Sequence, residues 1–387
     1  TTFYVHHRLV SLNEVGGDPR RFGVSVAAFH HANQERTRRW PHGLLATSTH
    51  DAKRGEDVRA RIHVLSELPE TWRRHVHRWQ RLNESKKGTA DGEPAPSAND
   101  EYLFYQTLAG AWPMAEPDDE GLAQFRGRIR EYLLKAVREA KLHTSWVHPN
   151  EEYEEAVAGF VERVLATPNR NAFLADFLPF QQRIARFGVL NGLAQTLLRL
   201  TAPGVPDTYQ GSELWDLNLV DPDNRRPVDY GRRRALLDSL REQNPAPRDL
   251  LAGFEDGRIK LDLVRRTLGL RRARPGLFRD GDYIALECHG DNADHLCAFA
   301  RRHETRWAVT VVGRWFARLT DGEDPLPLPP ETWADTWVEL PDDAPAAFED
   351  VLTGRTVEAA RLHGRPGLPV RSLLGPLPAA LLTGTSG

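Results

Sequence analysis

Cysteine and methionine are scarce in this 387-residue chain, which has two of the first and one of the second. Two thiols cannot build a disulfide framework, so a fold held by cross-links is excluded and a reducing compartment fits. Long apolar runs are lacking too. None approaches the roughly 18 residues that a membrane-spanning helix needs. Nothing near Thr1 has the basic, apolar and small-residue succession of a signal peptide. These absences lead to the expectation of a soluble, cytoplasmic protein with no membrane partner. Charge of one sign is not in excess either: 51 basic and 54 acidic residues are interspersed, for a formal net charge of -3. No long basic face is available to neutralise phosphates, so nucleic acid is not an expected partner and a neutral ligand suits the balance better. Neither a Gly-x-x-x-x-Gly-Lys-Ser/Thr loop nor a Gly-x-Gly-x-x-Gly turn occurs, and no nucleotide or other cofactor is expected.

What is present divides into four stretches. Residues 1–57 read as one α/β unit, with a helix from Phe22 to Arg39 and a strand from Leu44 to Thr49. Residues 58–200 are helical in pattern: Ile129, Leu133, Ala136, Val137 and Ala140 recur at three- and four-residue intervals, as an amphipathic helix requires. Within them Glu84 to Asp100, poor in apolar residues and bearing Pro94, Pro96 and Gly88, reads as a mobile loop. Residues 201–278 hold a further strand followed by helices at Arg232 to Arg241 and Ile259 to Ala273. Residues 279–387 carry short apolar runs separated by turns such as Gly290-Asp291-Asn292, the spacing of an antiparallel β domain.

The run Leu44-Leu45-Ala46-Thr47-Ser48-Thr49 ends on His50-Asp51 and then on Lys53-Arg54-Gly55-Glu56-Asp57. A buried strand opening into a polar loop is how a (β/α)8 barrel delivers its chemistry. A second such segment is Pro203-Gly204-Val205-Pro206-Asp207-Thr208-Tyr209-Gln210-Gly211-Ser212-Glu213-Leu214. Cys288-His289 and His295-x-Cys297, flanking a turn, could suggest zinc. Adjacent strand residues face opposite ways, however, so no metal site is expected there.

The Pro203 to Leu214 segment resembles the last barrel strand and loop of the α-amylase superfamily. Ser11-Leu12-Asn13-Glu14-Val15-Gly16-Gly17-Asp18-Pro19, Thr47 to Arg61, Leu214-Trp215-Asp216 and Asp221-Pro222-Asp223-Asn224-Arg225-Arg226-Pro227-Val228-Asp229-Tyr230 resemble maltooligosyltrehalose synthases in the family's order. The resemblance runs through nearly the whole chain and matches the C-terminal part of such an enzyme. It implies the C-terminal part of a (β/α)8 barrel with a large helical insertion, followed by an antiparallel β-sandwich. It also implies transglucosylation within one molecule, in which the reducing-end α-1,4 bond of a maltooligosaccharide becomes an α,α-1,1 link. A trehalohydrolase is the implied functional neighbour.

By the same resemblance Asp51 is the transition-state stabiliser, with His50 contacting the same sugar. Lys53 and Arg54 either line the acceptor side or are solvated charges opening the next helix. Trp215 and Tyr209 offer flat faces for pyranose stacking, with packing under the barrel rim as the alternative for Tyr209. Asp221, Asn224, Arg225 and Arg226 are candidates for ligand contact. The family's nucleophile and acid motifs have no match here, and Glu14 is not assigned the acid role. The chain alone is therefore expected to be inactive. A superfamily hydrolase, a branching enzyme and a non-catalytic glucan-binding fragment remain as alternatives.

Overall fold

A computed structural model describes residues 1–166, 171–323, 326–375 and 377–386. Helix α1 (Val26–Arg39) starts later than Phe22, because the Ser25 hydroxyl accepts the Ala28 N–H at 3.1 Å and caps the helix there. Strand β1 is Leu44–Leu45 alone, shorter than the expected Leu44 to Thr49. Then come α2 (Glu56–Val64), α3 (Pro69–Asn83), β2 (Gly88–Ala90), β3 (Glu93–Ala95), α4 (Ala98–Ala111), α5 (Asp119–Ala140), α6 (Glu151–Val164) and α7 (Ala172–Thr201). Strand β4 (Val205–Pro206) pairs in parallel with β1, Leu44 opposite Val205 and Leu45 opposite Pro206. Val205 N–H and Asp207 N–H donate to Gly43 O and Leu45 O, at 2.9 and 2.8 Å, so the bonds to β1 come from either side of Pro206 and do not call on its missing N–H.

The segment expected to be a mobile loop is instead an antiparallel hairpin, β2 paired with β3. Asp91 and Gly92 form its turn, both at positive φ, which the second accepts without a Cβ penalty. Its buried contacts are small: Ala90 and Ala95 are inside, and Gly88 lies against Ala156. Low apolar content therefore concealed an ordered element.

Beyond β4 lie α8 (Tyr230–Gln243), α9 (Pro247–Ala252), α10 (Arg258–Ala273) and α11 (Pro275–Arg279). Next are β5 (Asp282–Leu286), β6 (Cys288–His289), β7 (Leu296–His303), β8 (Arg306–Gly313) and β9 (Trp337–Glu339). The last strands are β10 (Ala347–Asp350), β11 (Thr356–Glu358), β12 (Ala360–Leu362), β13 (Arg365–Pro369) and β14 (Ala379–Thr385). They make a six-stranded antiparallel sheet in the order β11-β10-β14-β8-β7-β5 and a four-stranded one, β12-β13-β9-β6. Cys288 and Cys297 thus sit in different sheets rather than on two arms of one hairpin. Among the described residues no sheet closes into a barrel.

The chain forms two compact units, the first comprising Thr1–Phe22, His50–Gly188 and Asp216–Arg226. Its core is aromatic. Trp79 is 0% exposed and meets Trp72, Tyr105, Phe173, Phe177 and Phe180, with ring centroids between 5.4 and 5.7 Å. Its indole N–H, which burial would otherwise orphan, reaches Asp176 at 2.9 Å. The second unit comprises Gly23–Thr49, Val189–Trp215 and Pro227–Gly387. There the central strands β7, β8 and β14 bury Phe299, Trp307, Val309, Val311 and Leu381. Near-continuous apolar runs on both faces of those strands suit the middle of a covered sheet. No helix among the described residues is long and apolar enough to cross a membrane.

Candidate functional site

Within the first unit, the loop after His50 is built by charge acting on backbone. Asp51 is exposed, and Lys53 Nζ donates to both its carboxylate and its carbonyl oxygen, each at 2.9 Å. That ammonium group holds the Asp51 carboxyl below the usual carboxylate range, so it is ionised at neutral pH. Glu14 supports the loop from behind. Its two oxygens accept the Lys53 N–H at 2.8 and 3.0 Å, and one also accepts the Arg54 N–H at 3.3 Å. Charge-assisted bonds of this kind are stronger than neutral ones and fix the backbone that presents Asp51.

Arg54 points inward. It is 2% exposed, and its guanidinium donates to Val10 O at 3.1 Å and to the Tyr132 hydroxyl at 2.6 Å. A solvated charge at the start of α2 is therefore not what the structure places there. Gly55 caps α2, and its N–H donates to Asn218 O at 2.7 Å. A Cβ at Gly55 would lie 2.5 Å from Asp216 O, so only glycine allows this approach. Asp57 completes the junction by accepting the Asp216 N–H at 2.7 Å.

The segment 216–226 lies against this loop. Asn224 is buried and its Nδ2 donates to His50 O at 3.1 Å, tying the two candidate segments together. Asp221 accepts from Lys135 Nζ at 2.9 Å, which holds its carboxyl below the ordinary range. Asp223 is a mixed case: burial raises its carboxyl, but two bonds from Arg128, at 2.9 and 2.8 Å, outweigh burial and leave it lowered. Arg225 is exposed, with its guanidinium 3.9 Å from Asp221, and Arg226 donates to Asn218 Oδ1 at 2.8 Å. His50, Asp51, Lys53, Arg54, Asp221, Asn224 and Arg225 are thus brought together in one unit.

Tyr209 and Trp215 belong to the second unit. Tyr209 is half-buried. The Trp215 indole N–H donates to Phe254 O at 2.6 Å, and the buried Lys260 ammonium lies 5.6 Å from its ring centroid. Such a cation over the ring holds the indole in place.

Two kinds of residue escape a reading of the sequence. Glu14 acts on backbone 39 positions away, and no local signal reports that. Arg128, Tyr132, Lys135 and Glu139 could have been found, because their spacing puts them on one face of α5, alongside the apolar stripe. In the β domain, burial pushes both the Cys288 and Cys297 thiols up to about 12, which disfavours thiolate ligands. The ligand atoms of Glu287, His289 and Glu339 do lie within 4.8 Å of one another. Arg365 already bonds Glu339 there at 3.0 and 2.7 Å and supplies a cation in place of a metal.

No protein-family model matches the sequence. Proteins of two Mycobacterium tuberculosis strains, CDC 1551 / Oshkosh and ATCC 25618 / H37Rv, provisionally named maltooligosyl trehalose synthases, are 44% identical over 380 residues. That stretch is 98% of this chain and 42% of each relative, so the chain spans less than half the length of the curated relatives it matches. The maltooligosyltrehalose synthase structure from Arthrobacter ramosus is similar over 100% of this chain and 44% of its own, at 36% identity and a TM-score of 0.81. A Sulfolobus tokodaii structure, titled a hypothetical maltooligosyl trehalose synthase, matches 99% of this chain and 44% of its own, with 29% identity and a TM-score of 0.70. Sequence and fold agree along nearly the whole chain, which is similar to less than half the length of a maltooligosyltrehalose synthase.

Proposed function

We propose that this chain is the C-terminal part of an enzyme that isomerises maltooligosaccharides, moving the reducing-end glucose from an α-1,4 to an α,α-1,1 link. The observation that carries this reading is the ionised Asp51, presented on a loop that Glu14 and Asn224 fix at its two ends. Breaking a glycosidic bond flattens the sugar ring toward an oxocarbenium ion. A carboxylate bonded to the ring hydroxyls accelerates that step if its contacts tighten as the ring flattens. Asp51 takes this role, His50 stands beside it, and Lys53 keeps the carboxylate charged. Tyr209 and Trp215 contribute flat surfaces for the pyranose rings, and Asp221 and Arg225 hydrogen-bond hydroxyls. Arg54 and Asn224 act by positioning the loops that carry them.

Retaining cleavage also needs a nucleophile and an acid about 5 Å apart. Glu14 and Asp57 accept backbone N–H groups, and Asp223 does so while paired with Arg128. Both catalytic carboxylates then come from the part of the relatives that this chain does not cover. In the same reading β1 and β4 are two strands of a (β/α)8 barrel, α2 to α7 include its helical insertion, and the two antiparallel sheets form a sandwich. Released glucose must attack before water does, which calls for an enclosed acceptor site. The product is a substrate for a trehalohydrolase, and both enzymes would work in the cytoplasm without a metal or cofactor.

The test is incubation with maltopentaose, of this chain and of the protein at the length of its relatives, followed by assay of reducing ends and of α,α-1,1-linked product. The longer protein should give a nonreducing product of unchanged mass, and this chain none. Asp51→Asn in the longer protein should lower turnover by orders of magnitude while binding survives. New shorter sugars would assign a hydrolase instead, and a mutant with a tenth of normal activity would remove Asp51 from the catalytic set.

A further inference from the structure

A half-exposed tryptophan that makes two directed contacts presents its open surface in one orientation. Trp146, in the first unit, is 54% exposed and yet anchored twice. Its indole N–H donates to Glu139 Oε1 at 3.0 Å, and the Arg138 guanidinium lies over one ring face, 4.8 Å from the centroid. Arg138 is itself clamped by Glu154, with bonds at 2.9 and 2.5 Å, and Glu154 also accepts from the Thr144 hydroxyl at 2.7 Å. The loop that carries the indole is closed by Ser145 and His148, each backbone N–H of the pair reaching the other residue, at 3.1 and 3.0 Å. One edge and one face of the ring are therefore committed, and the remaining surface is open to solvent.

The location of Trp146 points to its ligand. Glu139 lies four residues beyond Lys135 on α5, so it stands on the same helix face about 6 Å further along. Lys135 bonds Asp221, and Asp221 in turn senses the charges of Arg225 and Lys53, the latter bonded to Asp51. Tyr4, buried against α5, feels the charges of both Glu139 and Asp221, which places these two carboxylates in its neighbourhood. A row of hydroxyl-bonding groups thus leads away from Asp51 and ends at a flat apolar face. A neutral ligand with polar edges and apolar faces, repeated along a chain, is complementary to such a row. The geometry points to Trp146 as a stacking platform for a distal pyranose of an α-glucan chain whose cleaved end lies at Asp51.

This inference rests on the proposed function, and the experiment separates the two. In the protein at the length of its relatives, dissociation constants, KM and kcat are measured for maltotriose and for maltoheptaose, with Trp146→Ala, Trp146→Phe and the unaltered protein. Trp146→Ala should raise Kd and KM for maltoheptaose about tenfold, roughly 1.4 kcal/mol. It should leave maltotriose within twofold and kcat unchanged, and Trp146→Phe should restore most of the loss. Equal losses for both sugars, or none, would overturn the platform while leaving the activity in place. Length-dependent loss of binding in a protein that forms no α,α-1,1 product would overturn the activity and support the platform. An unaltered protein that binds neither sugar would overturn both.

Discussion

Glu14 accepts the Lys53 backbone N–H on both carboxylate oxygens, at 2.8 and 3.0 Å, across 39 positions of sequence. Hydrogen bonds to a charged acceptor contribute about 1.5–3 kcal/mol each when they are made, and this one sits two residues from the carboxylate that the family resemblance marks as functional. The loop is thus stabilised through its backbone while its side chains stay available.

Replacing Glu14 with Gln should keep the shape of the contact and remove the charge. The expected cost is about 1–2 kcal/mol of stability, with amide hydrogen exchange at Lys53 and Arg54 accelerated about tenfold or more. The exchange rates can be read on this chain itself, without any assay of activity. Unchanged protection at both amides would mean that Glu14 does not hold the loop.

Gly55→Ala tests the approach of segment 216–226 to that loop. The added methyl would meet Asp216 O at 2.5 Å and Oδ1 at 2.6 Å, and neither the backbone nor a bonded carboxylate can yield cheaply. A loss of roughly 1–3 kcal/mol is expected from such overpacking, read as a lower urea midpoint. A midpoint matching the unaltered chain would show that the two segments are further apart than described.

His63 gives the chain an acid-sensitive element. Burial, reinforced by the Arg59 charge, lowers its imidazole from 6.5 to about 4, with Ser11 Oγ 3.0 Å from Nδ1. The unfolded chain therefore binds a proton more readily than the folded one between those two values. Stability from this site is complete above pH 6.5, falls as the pH drops through that window and levels off below the folded value of about 4. His63→Gln should flatten the urea-midpoint profile between pH 6.5 and 4, and an unaltered slope would assign the acid sensitivity to other groups.

The sequence displayed some of this site and concealed the rest, for identifiable reasons. His50-Asp51 and the Asp221 to Arg226 segment were legible because their groups are contiguous, so a short motif carries them whole. Lys135 and Asp221 are 86 positions apart and Arg128 and Asp223 are 95 apart, and only the fold brings such pairs together. Arg54 was misleading in another way. Arginine is ordinarily solvated, and only the acceptors Val10 O and Tyr132 Oη make its burial affordable. The β2–β3 hairpin was missed because its inward-facing residues are alanines, which register weakly as a hydrophobic pattern although their burial is complete or nearly so. Helix α5 and the antiparallel strands beyond Asp282 were visible from the pattern of apolar residues and turns, since each repeats that pattern several times.

Helix α5 anchors four groups in turn: Arg128 to Asp223, Tyr132 to Arg54, Lys135 to Asp221 and Glu139 to Trp146. All four depend on a shared angular phase. Inserting or deleting one residue between positions 128 and 139 would rotate everything beyond it by about 100° and break several anchors at once, whereas single substitutions elsewhere on that face break one at most. Among natural variants of this chain, the length of that interval should therefore be far more strictly kept than the identity of most residues within it.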